Sequence, residues 1–260
     1  MKIILRIIRS VVFIYLCVAL FLFFFQRHLL YYPTPKSQHN YDVIQYAIDD
    51  VVLDVIVLNK DKDQAILYFG GNGEAVVANA YRFNQTLSDY TVYLVNYRGY
   101  SGSGGKPTEV NLYSDALYIY DQVHKKHKGF SVIGRSLGTG VATYLASTKN
   151  INKMVLITPY DSIQAMAQKK YPVFPIGLLL QDKYDSLSRV KNIKAETLVL
   201  LAEHDVVIPF ENSQKLIAQF PVSQIQVETI KGTGHNSISS KDVYYDLLQR
   251  FMALPEIITE

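Results

Sequence analysis

The 260-residue chain contains no tryptophan and a single cysteine, Cys17. One thiol rules out a disulfide framework and any zinc site built on several cysteines. Charged residues are only 19% of the chain, and the first forty contain no acid at all. Those forty carry five bases: Lys2, Arg6, Arg9, Arg27 and Lys36. The formal charge of +3 therefore comes from the N-terminus, and the remaining 21 bases and 23 acids leave the body at −2. A body of that balance offers no electrostatic footprint for a phosphate backbone, so nucleic acid is not an expected partner. With 49% apolar residues the chain can bury enough surface to fold, which excludes intrinsic disorder.

Behind Lys2, Arg6 and Arg9 runs an uncharged, almost wholly apolar stretch, 11–25, closed by Gln26, Arg27 and His28. It is short for a spanning helix, but Ile7, Ile8, Leu29 and Leu30 extend it if the flanking arginines snorkel. The expectation is an N-terminal transmembrane anchor over 1–30. A cleaved signal peptide is the alternative, disfavoured because residues 20–25 offer only Leu and Phe where a cleavage site needs small side chains. Basic residues ahead of the span favour a cytoplasmic N-terminus, which puts the body on the non-cytoplasmic side of a single-pass protein. Residues 31–40, with Tyr31-Tyr32-Pro33-Thr34-Pro35, suggest an interfacial aromatic pair and a stiff linker.

From residue 41 to 260 the pattern predicts one α/β domain. Strands are expected at 51–58, 65–69, 91–97, 130–133, 153–158, 197–202 and 225–230. Helices are expected at 74–87, 111–127, 138–147, 211–220 and 243–253. Buried strands alternating with helices imply a mostly parallel central sheet covered on both faces. Ligands of such sheets bind beyond the carboxyl ends of the strands.

Gly134-Arg135-Ser136-Leu137-Gly138 sits at such an end, between an expected strand and an expected helix. A nucleophile elbow requires that context, because the tight turn needs small residues beside the serine. A serine hydroxyl needs a base, and His235, in a loop with Gly232 and Gly234, is the candidate. The imidazole in turn needs an acceptor. Asp205 follows a strand and keeps the order Ser136, Asp205, His235, while Asp161, past the preceding strand, is its competitor. Oxyanion donors are expected from the amides of Leu137 and Asn72, the latter in Gly70-Gly71-Asn72-Gly73. The apolar run 171–180 either packs a helix onto the sheet or overhangs Ser136. In the second case Phe174 and Leu179 line a shallow acyl pocket suited to short or medium chains. No metal or cofactor is implied.

Together these stretches resemble the membrane-tethered α/β hydrolases related to the fungal bud-emergence protein, near the serine-aminopeptidase-like group. The likeness is carried by Gly70-Gly71-Asn72, by Arg98-Gly99-Tyr100-Ser101-Gly102-Ser103-Gly104, by the elbow, by Asp205 to Pro209 and by Gly234-His235. Gly70 stands where that family has histidine, and Ala202 where it often has glycine. The resemblance implies an α/β-hydrolase fold and a hydrolase but says little about substrate, because this fold hosts many activities. With the Ser136, His235 and Asp205 constellation the expectation is a serine hydrolase cleaving carboxylic esters or thioesters of a small or lipid-like acyl substrate. A serine peptidase and an inactive binding scaffold are the alternatives.

Overall fold

Residues 1–254 are described by a computed structural model of the chain. Eight strands form one sheet in the order β1-β2-β4-β3-β5-β6-β7-β8. They are β1 (Asp42–Ile48), β2 (Val51–Leu58), β3 (Gln64–Phe69), β4 (Tyr90–Val95), β5 (Gly129–Arg135), β6 (Lys153–Ile157), β7 (Glu196–Ala202) and β8 (Ile225–Ile230). β1 pairs β2, and β2 pairs β4, antiparallel; every pairing from β4 through β3 to β8 is parallel. The parallel strands β3 to β7 are buried on both faces, as their Val, Ile and Leu content requires, while β8 at the sheet edge is largely exposed.

The helices are α1 (Lys2–Leu30), α2 (Ala80–Thr86), α3 (Glu109–Val123), α4 (Leu137–Thr148), α5 (Ile163–Lys170), α6 (Ile176–Leu179), α7 (Phe210–Ile217) and α8 (Asp242–Met252). Leu112, Ala116 and Ile119 of α3 join Val141 and Leu145 of α4 in one core cluster. Phe83 of α2 and Tyr244 and Leu248 of α8 belong to the other. The sheet is thus covered on both faces.

Three features depart from the sequence expectation. β1 is a strand outside the expected set: its polar Asp42 and Gln45 and its half-exposed edge position carry no buried-strand signal. The helix expected at 74–87 forms only as a 3₁₀ turn over Val76–Asn79 followed by α2, because Gly73 and Glu74 are held in the loop after β3. The helix expected at 111–127 begins at Glu109, where the Thr108 side chain caps it by accepting from the Asn111 amide, and ends at Val123. The last residues of the expected domain, 255–260, lie outside the described residues.

Residues 31–40 are not a free spacer. Tyr31 is buried, its hydroxyl 2.8 Å from that of Tyr184, and the Ser101 amide donates to the Thr34 carbonyl at 2.8 Å. The aromatic pair therefore splits: Tyr31 packs into the body and Tyr32 stays exposed.

The sheet's tightest contact fixes the elbow. A methyl group on Gly138 would collide with the Phe69 and Gly70 carbonyls, and one on Gly134 would lie 2.5 Å from the Gly138 carbonyl oxygen. Gly138→Ala is therefore expected to destabilise the fold by about 1–3 kcal/mol, the usual cost of overpacking. Urea unfolding followed by circular dichroism would measure it; an unchanged midpoint would contradict the packing.

Candidate active site

Ser136 stands immediately before α4, at its N-cap, with φ 49° and ψ −116°, a positive-φ backbone that a side chain rarely adopts. Its amide donates to the Ile157 carbonyl at 2.9 Å, which anchors the turn to β6. Such strain persists only where the surroundings over-determine it, here β5 before and α4 after. The effect is to lift the Ser136 hydroxyl off the strand and to leave the first amides of α4 without intrahelical acceptors.

The loop after β8 brings His235 to this hydroxyl: Nε2 lies 2.9 Å from Ser136 Oγ. His235 Nδ1 lies 2.8 Å from Asp205 Oδ2, and both side chains are largely buried. Asp205 is fixed on its other oxygen as well, which accepts the amides of Val207 at 2.9 Å and Ile208 at 2.8 Å. That is the structural purpose of the turn from Asp205 to Pro209. Burial pushes the Asp205 carboxyl up, but the His235 contact and the two amides outweigh it and hold the group below its ordinary value of 3.8.

Asp161, the competing acid, is engaged elsewhere. Its Oδ1 accepts from the Asn212 side chain and from the Ser162 amide, each at 2.7 Å. The other histidines stand apart: His204 is exposed beside Glu203, and His127 bridges Tyr93 and the Lys62 carbonyl. Among the described residues no group of His, Cys, Asp and Glu could hold a metal ion.

Asn72, Ser136 and Leu137 line one cavity of about 660 Å³. The Asn72 side chain is clamped, accepting from the Tyr32 amide at 2.9 Å and the Tyr100 hydroxyl at 2.8 Å and donating to the Leu30 carbonyl. The Tyr97 hydroxyl holds the Gly70 carbonyl at 2.8 Å, and Arg98 ties the same stretch to Asp115 of α3 through a buried bidentate pair. The Arg98-Gly99-Tyr100 stretch thus braces the oxyanion loop. At Gly70 a Cβ would meet the Val76 side chain at 2.7 Å, so the packing has no room for the histidine of related loops. Ala202 closes β7 among buried side chains.

Sequence reasoning missed Glu74 and Arg135. Glu74 accepts from the Gly71 amide at 2.6 Å and from the Tyr68 hydroxyl at 2.5 Å. Arg135, inside the elbow, lies 3.7 Å from Glu74 and donates to the Asn236 carbonyl at 3.2 Å. One cation therefore joins the oxyanion loop to the loop of His235. The only signal was a charged residue immediately before the elbow serine, where nothing about the turn demands one.

Leu179 lines the cavity, as do Ile176 and Leu180. Phe174 does not; it stacks on Tyr15 of α1 with ring centroids 4.8 Å apart. The run 171–180 packs on α5 and α1 rather than on the sheet.

Comparison with known proteins agrees with this fold. A family model described as alpha/beta hydrolase fold matches residues 64–175. An uncharacterised protein of Mycobacterium tuberculosis, Rv2307c, is 29% identical over 259 residues, 90% of each chain. Human protein ABHD12B is 30% identical over 182 residues, 60% of this chain and 50% of its own. Among solved structures, the Pyrococcus furiosus esterase Pf2001 superposes with a TM-score of 0.65 at 18% identity, over 86% of this chain and 98% of its own. Est1E of Butyrivibrio proteoclasticus gives 0.66 at 15% identity, over 81% and 100%. The chain has the α/β-hydrolase fold. With a strained elbow serine hydrogen-bonded to a histidine that is itself hydrogen-bonded to a carboxylate, it has the site of a serine hydrolase.

Two outcomes test the acid. Asp205→Asn is expected to lower kcat by about 10⁴, the cost of a wrongly held imidazole, while Asp161→Asn costs far less; the reverse ranking would transfer the role. The folded-state value of Asp205 is depressed, so its contribution to stability is fully present above its unfolded value of 3.8 and is lost as pH falls through the folded value. The stability difference between wild type and Asp205→Asn, measured by urea unfolding, should hold from neutral pH down to about pH 5 and shrink in more acidic buffer. A difference that grew on acidification would contradict the sign.

Proposed function

We propose that the protein is a membrane-anchored serine hydrolase that cleaves carboxylic esters, and thioesters by the same route, through Ser136, His235 and Asp205. The observation that carries this reading is the continuous hydrogen-bonded line from Asp205 Oδ2 through His235 to Ser136 Oγ. Ser136 Oγ attacks the acyl carbon as His235 Nε2 takes its proton, and Asp205 stabilises the imidazolium. The carbonyl oxygen becomes an oxyanion between the amides of Leu137 and Asn72. Collapse breaks the ester bond, and the departing alkoxide or thiolate receives the proton from His235. Water, deprotonated by His235, then attacks the acyl-enzyme, releasing the acid and restoring Ser136.

An ester suits the cavity better than a peptide amine. Among the described residues none that lines it is acidic, so no carboxylate there waits to hold an α-ammonium group, and Lys169 and Lys170 would repel one. The relatives named as esterases agree with an ester substrate. The narrower likeness to membrane-tethered hydrolases rests on the motifs of this sequence. What supports an anchor is α1 itself, long and apolar enough to cross a membrane, with Phe13 and Phe24 about two-thirds exposed. Exposed apolar side chains of that number are stable only in lipid or beneath a partner. The bases ahead of the span support a body on the non-cytoplasmic side.

Ser136→Ala should abolish turnover of p-nitrophenyl butyrate while leaving the unfolding transition in place, because alanine fits the same turn. Wild type should favour that ester over leucine p-nitroanilide by at least two orders of magnitude. The opposite preference would favour the peptidase reading, and near-normal turnover by Ser136→Ala would remove the mechanism. The full-length chain should stay with membranes through a carbonate wash; a soluble product starting near residue 20 would indicate signal cleavage.

A further inference from the structure

The cavity at Ser136 is walled by the N-terminal helix as well as by the hydrolase body. Leu22, Gln26, Leu29 and Leu30 line it from α1. Their spacing of four, three and one places them on a single stripe of the helix. That stripe runs about 12 Å along the axis at 1.5 Å per residue. Opposite it stand Met166 of α5, Ile176 and Leu179 of α6.

The helix is fixed in this place by polar contacts. Gln26 is the buried residue of α1; its side chain donates to the Leu179 carbonyl at 3.0 Å and accepts from the Gln181 amide at 2.7 Å. Arg27 pairs with the buried Asp182 at 3.0 Å. The Leu30 carbonyl and Tyr32 amide hold Asn72, in the oxyanion loop. Detaching α1 would leave Asp182 and the Asn72 side chain short of partners, at the usual cost of an unsatisfied buried group. The segment is therefore part of the site's construction.

A second set of contacts lies further along the same helix. Tyr15 stacks on Phe174 and its hydroxyl donates to the Val173 carbonyl at 3.0 Å. Tyr15 is twelve residues from Arg27, about 18 Å along the axis. A hydrocarbon core is only about 30 Å thick. If Arg27 sits at the interface, the 171–175 stretch reaches hydrocarbon depth beside the helix. Its surface suits that place: Val173 and Leu178 are exposed at 71% and 84%, and Val206, on the other rim of the cavity, at 93%. Val206 lines the cavity itself, whereas Val173 and Leu178 flank the lining residues Tyr171, Ile176 and Leu179. Apolar side chains so exposed are a liability in water and ordinary in lipid.

We infer that this cavity is an acyl channel opening sideways into the bilayer, with α1 as one of its walls. Its substrate is then a long-chain acyl ester resident in the same membrane as the enzyme. The inference rests on the serine-hydrolase reading above and names the substrate class of that site. It replaces the shallow pocket for short or medium chains expected from the sequence. The 171–180 run supplies one wall, and the second comes from a segment more than a hundred residues away in the chain. The ester carbonyl sits at Ser136 near the membrane surface, and the chain lies along the Leu22–Leu30 stripe.

The full-length protein in phosphatidylcholine vesicles tests this with 4-methylumbelliferyl palmitate and the water-soluble butyrate ester. Palmitate placed in the protein's own vesicles should be hydrolysed roughly ten-fold faster, or more, than palmitate supplied in separate protein-free vesicles. Leu22→Trp, which fills the channel from α1, should lower the palmitate-to-butyrate ratio of kcat/KM by about ten-fold. Phe24→Trp, on the exposed side of the helix, should leave that ratio as it is. Equal rates from the two vesicle arrangements, or a ratio untouched by Leu22→Trp, would overturn the channel while leaving the hydrolase reading intact. Failure of wild type to hydrolyse either ester would instead remove the hydrolase reading, and the channel with it.

Discussion

The backbone of Ser136, held at φ 49° between a strand and a helix, is the constraint to which the neighbouring structure answers. It lets the chain turn from β5 into α4 within one residue, so β5 and α4 pack with no room for a side chain at Gly134 or Gly138. Gly138 lies against the Phe69 and Gly70 carbonyls, and Gly134 against Gly138, because any larger side chain would push the elbow away from β3. That closeness sets the oxyanion loop, which follows β3, beside the serine. The parallel order of β3, β5, β7 and β8 then delivers Asn72, Ser136, Asp205 and His235 from four strand ends to one place.

Holding four loops in register requires more than the sheet. Glu74 and Arg135 connect the oxyanion loop to the His235 loop, and Tyr97, Arg98 and Tyr100 brace the former from the side. These are charged and hydroxyl groups buried with partners, where each contact is stronger than at the surface and each vacancy more costly. Asp205 follows the same logic, since three donors on one carboxylate keep it ionised and aimed at His235.

Much of this was legible in the sequence, and the limits have physical causes. The parallel strands announced themselves as short runs of β-branched residues, and the triad by small residues and turns at their ends. β1 escaped because an edge strand half open to water needs no apolar run. Glu74 and Arg135 escaped because a buried ion pair looks, in sequence, like any two surface charges. The choice between Asp205 and Asp161 turned on which carboxylate faces the imidazole, and Asp161 is occupied by Asn212 and Ser162. Phe174 was read as a substrate contact because an aromatic in an apolar run fits a pocket as well as it fits a helix. Its partner, Tyr15, lies 159 positions earlier, and no local pattern reports such a pairing.

The N-terminal helix changes the meaning of the whole chain. Apolar length alone would make it a tether, interchangeable with any other. Gln26, Arg27 and Leu30 make it specific, because their polar contacts fix its rotation against the body and turn one stripe toward Ser136. On the proposed reading, membrane attachment and substrate access share one element. All of it depends on Ser136 being the nucleophile. Peptide mapping of the full-length protein after reaction with a fluorophosphonate tests that most directly. The adduct is expected on the peptide containing Ser136, at one equivalent per chain. An adduct on another residue, or none on the folded protein, would contradict it.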